Sequence, residues 1–358
     1  MPAIPFLQYR LYNQQISHHN FTTPAEVVSH MIALQAQDFA GAKWSIALRL
    51  PGATDASIEQ AIADRSIIRI TTLRGTLHYV SPDDIRWMQD LISERIMKSF
   101  AGNFKRDGLD KTLFTKGRKL IAELLKDGKQ LTRLEIKAAM EKKKLPVTGN
   151  CINYQLYYAC LTKLICLGPR RNKEFTYTLL DEWVPRKENK LLREEALAVL
   201  AKRYFESRGP ATVNDFANWA GLTIADAKQG LSSVSGTLIS ETYNAVTYWM
   251  SNQLPAIKPS SAIYLLPGFD EYLLSYKDRS LALDAQYAKE ITGTGNGILS
   301  GTIISNGRVS GTWKRTFVKD TVEIEKKHFT PPAASKKAPF TTAVKQFGQF
   351  TGCKPIII

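Results

Sequence analysis

The chain has 358 residues, 44% of them hydrophobic, and this length favours two or three folded domains over one. Lysine and arginine together number 48 against 33 acidic residues, which gives a formal net charge of +15. Such a charge favours a polyanionic partner, either nucleic acid or an anionic membrane surface. The hydrophobic content excludes disorder as the dominant state.

A membrane-spanning or secreted protein is not indicated. No run approaches the roughly 20 apolar residues that cross a bilayer, and the N-terminal sequence MPAIPFLQYR lacks the apolar core of a secretory signal. We therefore expect a cytoplasmic protein without a membrane partner. The cysteines form no CxxC pair and stand far from the histidines, so neither a zinc site nor a disulfide framework is indicated. We expect no cofactor and buried free thiols at Cys151, Cys160, Cys166 and Cys353.

Three successive stretches repeat one order of elements: a helix, a second helix opened by a capping residue, a third helix and a pair of strands. This is the order of a winged helix-turn-helix. We predict an α+β protein with three tandem winged helix-turn-helix units and a β-rich C-terminal segment. The predicted boundaries are 1–97, 98–185, 186–258 and 259–358.

In the first stretch the predicted helices are PFLQYRLYNQQIS, TTPAEVVSHMIALQAQD and SIEQAIADRSI, and the predicted strand pair is IIRITTLRGTLHYV. Thr23 caps the second helix and Glu26 completes a capping box. Pro24 occupies the first turn, where its missing N–H is not needed. This helix is predicted to extend to Gln35-Ala36-Gln37 at its C-terminal end.

The middle stretch contains the predicted helices GRKLIAELLKDG, LTRLEIKAAMEKK and NCINYQLYYACLTKLI, followed by the turn and strand of LGPRRNKEFTYTLL. Thr132 and Glu135 open its second helix. Lysines and arginines are concentrated from Lys98 to Lys144 with few compensating acids. This part of the chain therefore suits contact with a polyanion.

The third stretch begins with the predicted helix LLREEALAVLAKRYFES and continues into two helices that Thr212 and Thr223 cap, with Gly221 between them. TLISETYNAVTYWM then predicts two strands around Tyr243-Asn244. Beyond residue 258 the pattern becomes strand-rich in IYLLPGFDEYLLSYKDR and in a hairpin that turns at Asn306-Gly307, a preferred type I′ pair. A last short helix, TTAVKQFGQF, follows an exposed linker.

Gln35 is the most unusual local feature. Val28 and Met31 share its helical face, where the pattern expects an apolar residue, and a buried amide needs hydrogen-bond partners. On a continuing α-helix, positions 35 and 37 point roughly 200° apart, so both face one pocket only if the helix ends or distorts between them. The structural alternative, two glutamines at a frayed helix end, stays open on spacing alone.

LQAQD after an amphipathic helix, with TLRGTLHYV, LLPGFDEYLLSYKDRS and NGRVSGTWKR downstream, resembles the AlkZ-like (AlkZ/YcaQ) winged-helix DNA glycosylases over nearly the whole chain. The family signature is Gln, an apolar residue, then Gln, or a variant ending in Asp. It falls here on Gln35, Ala36 and Gln37. The resemblance implies a monofunctional DNA glycosylase of DNA repair, with Gln35 and Gln37 as catalytic residues.

The substrate implied by this resemblance is double-stranded DNA that contains alkylated purines, N7-alkylguanine-type bases or crosslinks, bound by a monomer. An N7-alkylated guanine is cationic and leaves without a strong general acid, so the site must place a water and stabilise an oxocarbenium-like sugar. A glutamine oxygen accepts from the water and its NH₂ donates to sugar or phosphate. Because glutamine is not an ordinary general base, positioning and electrostatics would carry the mechanism. Asp38 adds negative charge there or is an ordinary loop residue.

Further candidates for DNA contact lie in the predicted strand pairs. In TLRGTLHYV, Arg74 suits a phosphate and Gly75 permits close approach of a backbone, whereas His78 either lines the site or is a packed strand histidine. The basic Asn306-Gly307 hairpin either enters a DNA groove or is simply solvated. The candidate DNA-binding residues are Arg74, Gly75, Thr76, His78, Arg170, Arg171, Arg308, Lys314 and Arg315.

Asp270 and Glu271 form a carboxylate pair of the sort that catalytic sites use, but the resemblance implies that they pack or brace the C-terminal module. Lys277 and Arg279 are expected to compensate their charge. The competing function is a non-catalytic winged-helix DNA-binding protein or transcriptional regulator, which keeps the fold and the charge. A regulator has no reason to place Gln35 on an apolar helix face, so the amide pair separates the two hypotheses.

Overall fold

The computed structural model describes residues 4–186, 190–257, 260–292 and 299–358. Contacts divide the chain into a discontinuous unit, residues 1–58 with 197–358, and a continuous unit, residues 59–196. Helices and sheets are both present, and the C-terminal part is rich in strands, so the predicted α+β class is confirmed. Among the described helices, none combines the length and the apolar character that crossing a membrane requires.

The elements of the N-terminal part are α1 (Phe6–Asn13), α2 (Pro24–Met31), β1 (Ala33–Gln35), α3 (Phe39–Leu48) and α4 (Asp55–Ala63). The middle part contains β2 (Ile68–Thr72), β3 (Thr76–Val80), α5 (Ile85–Arg106), α6 (Lys111–Leu125), β4 (Leu131–Thr132), α7 (Arg133–Lys142), α8 (Cys151–Leu161), β5 (Ile165–Arg171), β6 (Glu174–Leu179) and α9 (Leu180–Trp183). The C-terminal part contains α10 (Arg193–Arg208), α11 (Val213–Ala220), α12 (Ile224–Val234), β7 (Leu238–Tyr243), β8 (Val246–Ser251), β9 (Ile263–Leu266), α13 (Glu271–Leu274), α14 (Ala288–Thr292), β10 (Gly301–Ser305), β11 (Arg308–Val318), β12 (Thr321–His328), α15 (Lys337–Thr351) and β13 (Lys354–Ile357).

The continuous unit has a sheet with the strand order β3-β2-β5-β6-β4. β2 and β3 pair antiparallel, as do β5 and β6, and β4 joins the outer side of β6 at Leu131↔Tyr177. The predicted helices of the middle stretch are present as α6, α7 and α8, and Thr132 and Glu135 form the expected capping box. Along the chain these elements follow one another as helix α6, strand β4, helices α7 and α8, and the strand pair β5 and β6.

The discontinuous unit contains a sheet with the order β13-β12-β11-β10-β9. Its pairs are antiparallel except β12 with β13, and α15 packs against β9 and β13. Asn306 and Gly307 have φ values of 53° and 79°, as the predicted type I′ turn requires. The predicted strand pair of the third stretch is β7 with β8, and its turn lies at Asn244-Ala245.

The second helix of the first stretch ends earlier than the sequence predicts. Its capping box at Thr23 is present, but α2 ends at Met31, Ile32 has φ 61° and ψ −56°, and the chain continues as β1. Residues 31–36 are all buried, and a short run buried on every side suits a strand as well as a helix. The expectation that 35–37 lie at the end of a helix is therefore wrong.

Further elements differ from the sequence analysis, among them the 22-residue helix α5, which it does not predict. α3 is absent from the prediction, and the segment after β9 folds as the short helix α13 instead of a strand. The four cysteines are free, as predicted; Cys353 is only partly buried and the other three are buried. Burial raises the pKa of the Cys160 thiol to about 12, so this thiol is not a nucleophile near neutral pH.

Candidate active site

The backbone before and at Gln35 is held by two buried side chains from the C-terminal part of the discontinuous unit. The Arg208 guanidinium donates through one NH₂ to the carbonyls of Met31, at 2.8 Å, and Ala33, at 3.0 Å. The backbone N–H of Gln35 donates to Oε1 of Glu271 at 3.0 Å. The bond to Met31 satisfies a carbonyl that the end of α2 leaves without a helical partner, and the other two bonds pair backbone groups of β1.

Arg208 and Glu271 also bind each other. Their NH₂ and Oε2 atoms are 3.1 Å apart, and the side chains are 0% and 1% exposed. Oε2 of Glu271 accepts two more hydrogen bonds, from the Trp219 indole at 2.9 Å and the Ser275 hydroxyl at 3.0 Å. The carboxylate is thus paired with a cation and hydrogen-bonded through both oxygens, as a buried charge requires.

A second buried pair lies at the neighbouring residue. Arg49 donates to both oxygens of Asp270 at 2.9 Å, which is the bidentate geometry of a strong arginine–carboxylate pair. The Ser45 hydroxyl donates to Asp270 at 2.6 Å, and Arg49 also donates to Oε1 of Gln14 at 3.1 Å. This pair links α3 and the residue that follows α1 to the start of α13, and none of its hydrogen bonds goes to the backbone at 31–35.

These pairs correct the expected charge balance of the two carboxylates. Lys277 is exposed, and the Arg279 guanidinium donates instead to the carbonyl of Leu273 at 2.8 Å. The balancing cations are Arg49 and Arg208. The bracing role expected of the carboxylates agrees with the contacts, but nothing in the local sequence signals arginines so distant along the chain.

The two glutamines of the motif occupy different environments. Gln35 is 8% exposed, and its Oε1 accepts the backbone N–H of Gln37 at 2.8 Å. The side chain of Gln37 is exposed. The internal bond orients the Gln35 amide and leaves one of the two Oε1 lone pairs for another donor.

Asp38 precedes α3 and lies between the motif and the C-terminal sheet. Its Oδ2 is 3.5 Å from a guanidinium nitrogen of Arg315, on β11. A Cβ on Gly41 would stand 2.4 Å from this oxygen, so a larger residue there would displace the carboxylate from this position. Among the candidate DNA-binding residues of this unit, Arg315 is thereby brought beside the glutamine motif.

The other two basic residues of the hairpin are placed differently. Lys314 is exposed and follows the alternation of β11 onto the opposite face from Arg315. Arg308, at the turn, pairs with Asp284 and donates to the carbonyl of Leu281 at 3.1 Å. Both arginines of the hairpin are therefore paired with an acid, whereas Lys314 is exposed and has no acidic partner among the described residues.

In the continuous unit, Arg74 and Gly75 form a tight turn between β2 and β3, with φ values of 57° and 77°. A Cβ on Gly75 would stand 2.0 Å from the hydroxyl of Tyr157, so packing against this tyrosine already explains the glycine. The Thr76 hydroxyl donates to the Leu73 carbonyl at 3.3 Å. These contacts account for the turn without a ligand.

The remaining sequence candidates of this unit are engaged inside it. His78 is fully buried, with Nδ1 3.0 Å from the Thr76 carbonyl, which is the packed alternative that the sequence left open. Arg170 pairs with Glu59 at 2.5 Å and Arg171 pairs with Glu135. Contact of these arginines with phosphate would compete with the acids or use the remaining N–H donors of the guanidinium groups.

His30, on α2, gives the discontinuous unit a pH-dependent stability. Burial, opposed by a hydrogen bond from Nε2 to the Asn13 carbonyl at 2.6 Å, lowers its pKa to about 4. The unfolded chain binds a proton near pH 6.5 and the native protein does not, so stability falls as pH drops from 6.5 towards 4, by up to about 1.4 kcal/mol per pH unit. Urea unfolding at several pH values should show that the free energy of unfolding depends less steeply on pH in His30→Gln than in the wild type. An unchanged pH dependence would contradict this assignment.

With this geometry in place, three comparisons bear on the chain. A family model described as DNA glycosylase AlkZ-like matches residues 28–350. An interstrand DNA cross-link repair glycosylase of Streptomyces sahachiroi is 24% identical over 324 residues, which cover 86% of each chain. The solved structure of Streptomyces sahachiroi DNA glycosylase AlkZ is similar with a TM-score of 0.82 and 21% identity, covering 100% of both chains.

Proposed function

The chain belongs to the family of AlkZ-like DNA glycosylases, and on that premise we propose that it releases N7-alkylguanine-type bases from double-stranded DNA. As a DNA glycosylase it is a hydrolase of N-glycosyl bonds. The observation that carries the proposal is the Gln35 amide, which is buried, oriented by the Gln37 backbone and next to an exposed second amide. This arrangement suits a site that positions a water and a sugar.

The chemistry follows from the charge of the lesion. A cationic base departs readily, and the sugar left behind develops positive charge that oriented amide oxygens stabilise. The remaining lone pair of Gln35 Oε1 accepts from the attacking water, and Nε2 donates to a sugar or phosphate oxygen. Gln37, exposed beside it, supplies the second amide to the same water or sugar.

We also propose that three winged helices bind the DNA. α6, α7 and α8 with β5 and β6 have the required order, as do α10, α11 and α12 with β7 and β8, in which Ala211 bridges to Trp249. In the first stretch the three helices are α2, α3 and α4, followed by β2 and β3. The predicted boundaries are 1–97, 98–185, 186–258 and 259–358, and the first of them falls inside α5. We propose a monomer that acts in the cytoplasm.

An interstrand crosslink is the second substrate that we propose, because the curated relative is named a cross-link repair glycosylase. A crosslink between two N7 atoms leaves each guanine cationic. Cleavage of the N-glycosidic bond with loss of a cationic base is therefore the same step for both lesions. Lys314 and Arg315 on the hairpin would contact phosphates next to the lesion. Arg315 would then exchange its pairing with Asp38 for a DNA phosphate.

The test is a base-release assay with the full chain on duplexes that carry N7-methylguanine or an N7–N7 guanine crosslink. Wild-type protein should release the modified base and leave an abasic site, whereas an unmodified duplex stays intact. Absence of release, or equal release after Gln35→Ala and Gln37→Ala, would refute the glycosylase mechanism at this site. Release from the methylated duplex alone would remove the crosslink from the proposal.

A further inference from the structure

We propose that the buried pair Arg208–Glu271 is the positioning device of the Gln35-Ala36-Gln37 motif. The pair holds the backbone from Met31 to Gln35 in a bent conformation and thereby aims the Gln35 amide at the reacting sugar. The inference rests on the proposed function for its catalytic consequence. That the pair fixes this backbone follows from the hydrogen bonds alone and does not depend on the proposed function.

The bend lies at Ile32, whose φ of 61° and ψ of −56° are unusual for a β-branched residue. Such a conformation persists only where the surroundings determine it. Arg208 stabilises this conformation, because one of its nitrogens binds the carbonyls of Met31 and Ala33, on either side of the bend. The same nitrogen reaches Glu271, which takes the Gln35 N–H.

The groups to be satisfied explain why an ion pair stands here. Two carbonyls need a donor and one N–H needs an acceptor within a space that water does not reach. Arginine and glutamate provide both and neutralise each other, and apolar side chains of the same volume would leave all three backbone groups unpaired. The neighbouring pair Arg49–Asp270 is equally buried but does not bind this backbone, so it provides a matched control.

The orientation of the glutamine is therefore set by residues far along the chain. Arg208 ends α10, and the Trp219 indole on α11 and the Ser275 hydroxyl both donate to the same oxygen of Glu271. Their side chains are fully buried, so in this proposal they act through the backbone at 31–35 and not by contact with the substrate. They are positioning residues and not catalytic ones.

The experiment compares Arg208→Lys with Arg49→Lys, which both keep the charge and lose the planar fork. Single-turnover release of N7-methylguanine at saturating protein reports the chemical step, and a separate titration reports the dissociation constant for undamaged duplex. We expect Arg208→Lys to slow release about 100-fold, because small misplacement of reacting groups costs this much, with an unchanged dissociation constant. Arg49→Lys should stay within about threefold of wild type.

Hydrogen–deuterium exchange of the peptide that covers residues 31–38 measures directly how firmly its backbone is fixed. This measurement does not depend on activity. Faster exchange there in Arg208→Lys but not in Arg49→Lys supports the inference. Equal slowing of release by both substitutions, or wild-type release and exchange in Arg208→Lys, overturns it. If the wild type releases no base, the proposed function fails. The exchange result still shows whether Arg208–Glu271 fixes the backbone at 31–35.

Should Arg208→Lys not fold, Trp219→Phe replaces it, because that change removes one donor to Glu271 and keeps both charges. It should slow release about tenfold and raise exchange at residues 31–38. A folded Trp219→Phe protein with wild-type release and wild-type exchange would overturn the inference.

Discussion

Gln35→Ala should slow release of N7-methylguanine about 100- to 1,000-fold at saturating protein, the loss expected when one oriented group of a preorganised site is removed. The amide is buried and already bound to the Gln37 N–H, so it needs no reorganisation when the base departs. Single-turnover kinetics with a direct measurement of free base provides the test. Affinity for undamaged duplex should be unchanged, since the side chain carries no charge.

The matched control is Gln15→Ala. Gln15 is 4% exposed, and its Oε1 accepts a backbone N–H, that of Asn20, at 2.9 Å. The substitution therefore removes the same kind of buried side-chain-to-backbone bond outside the motif. Equal slowing in both variants would mean that loss of local structure, and not loss of the Gln35 amide, explains the effect.

Substitutions of Gln37 test what the second amide of the motif contributes to base release. The Gln37 backbone N–H, which orients Gln35, is kept when the exposed side chain is replaced by aspartate or alanine. Gln37→Asp keeps an oxygen that stabilises a developing cation, as the family variant ending in Asp implies, and should retain release. Gln37→Ala should lose it. A slow Gln37→Asp with an active Gln37→Ala would contradict the role given to this side chain.

The parts of the fold that the sequence predicts well depend on local chemistry. The capping boxes at Thr132 and Thr212 and the turn at Asn306-Gly307 are each specified by residues within four positions. Hydrophobic periodicity located the helices that have one buried face. These signals need no knowledge of the rest of the chain.

α3 and the bend at Ile32 were not predictable in this way. Residues 41–48 of α3 are buried on all sides, and a helix without a polar face shows no 3.6-residue period. Where α2 ends, the carbonyl of Met31 accepts its hydrogen bond from Arg208, 177 positions away. The motif residues were found by resemblance, whereas the side chains that hold them come from a buried network with no local signature.

Asp270→Ala is the substitution for which we expect the largest loss of stability. The carboxylate accepts two bonds from Arg49, and the two side chains are 2% and 0% exposed. Its removal leaves a guanidinium buried without its counter-ion, which destabilises a protein by about 3–5 kcal/mol. The measurement is the free energy of unfolding from urea titrations followed by circular dichroism.

The control is an ion pair of the same charge type in solvent. Lys98 and Glu94 lie 2.6 Å apart with side chains 75% and 77% exposed, so Glu94→Ala should change the unfolding free energy far less than Asp270→Ala does. The double substitution Arg49→Met with Asp270→Ala removes the orphan charge and should recover part of the loss. A double variant less stable than Asp270→Ala alone would mean that the other bonds of Arg49, to Ser45 and Gln14, stabilise the fold more than burial of its unpaired charge costs.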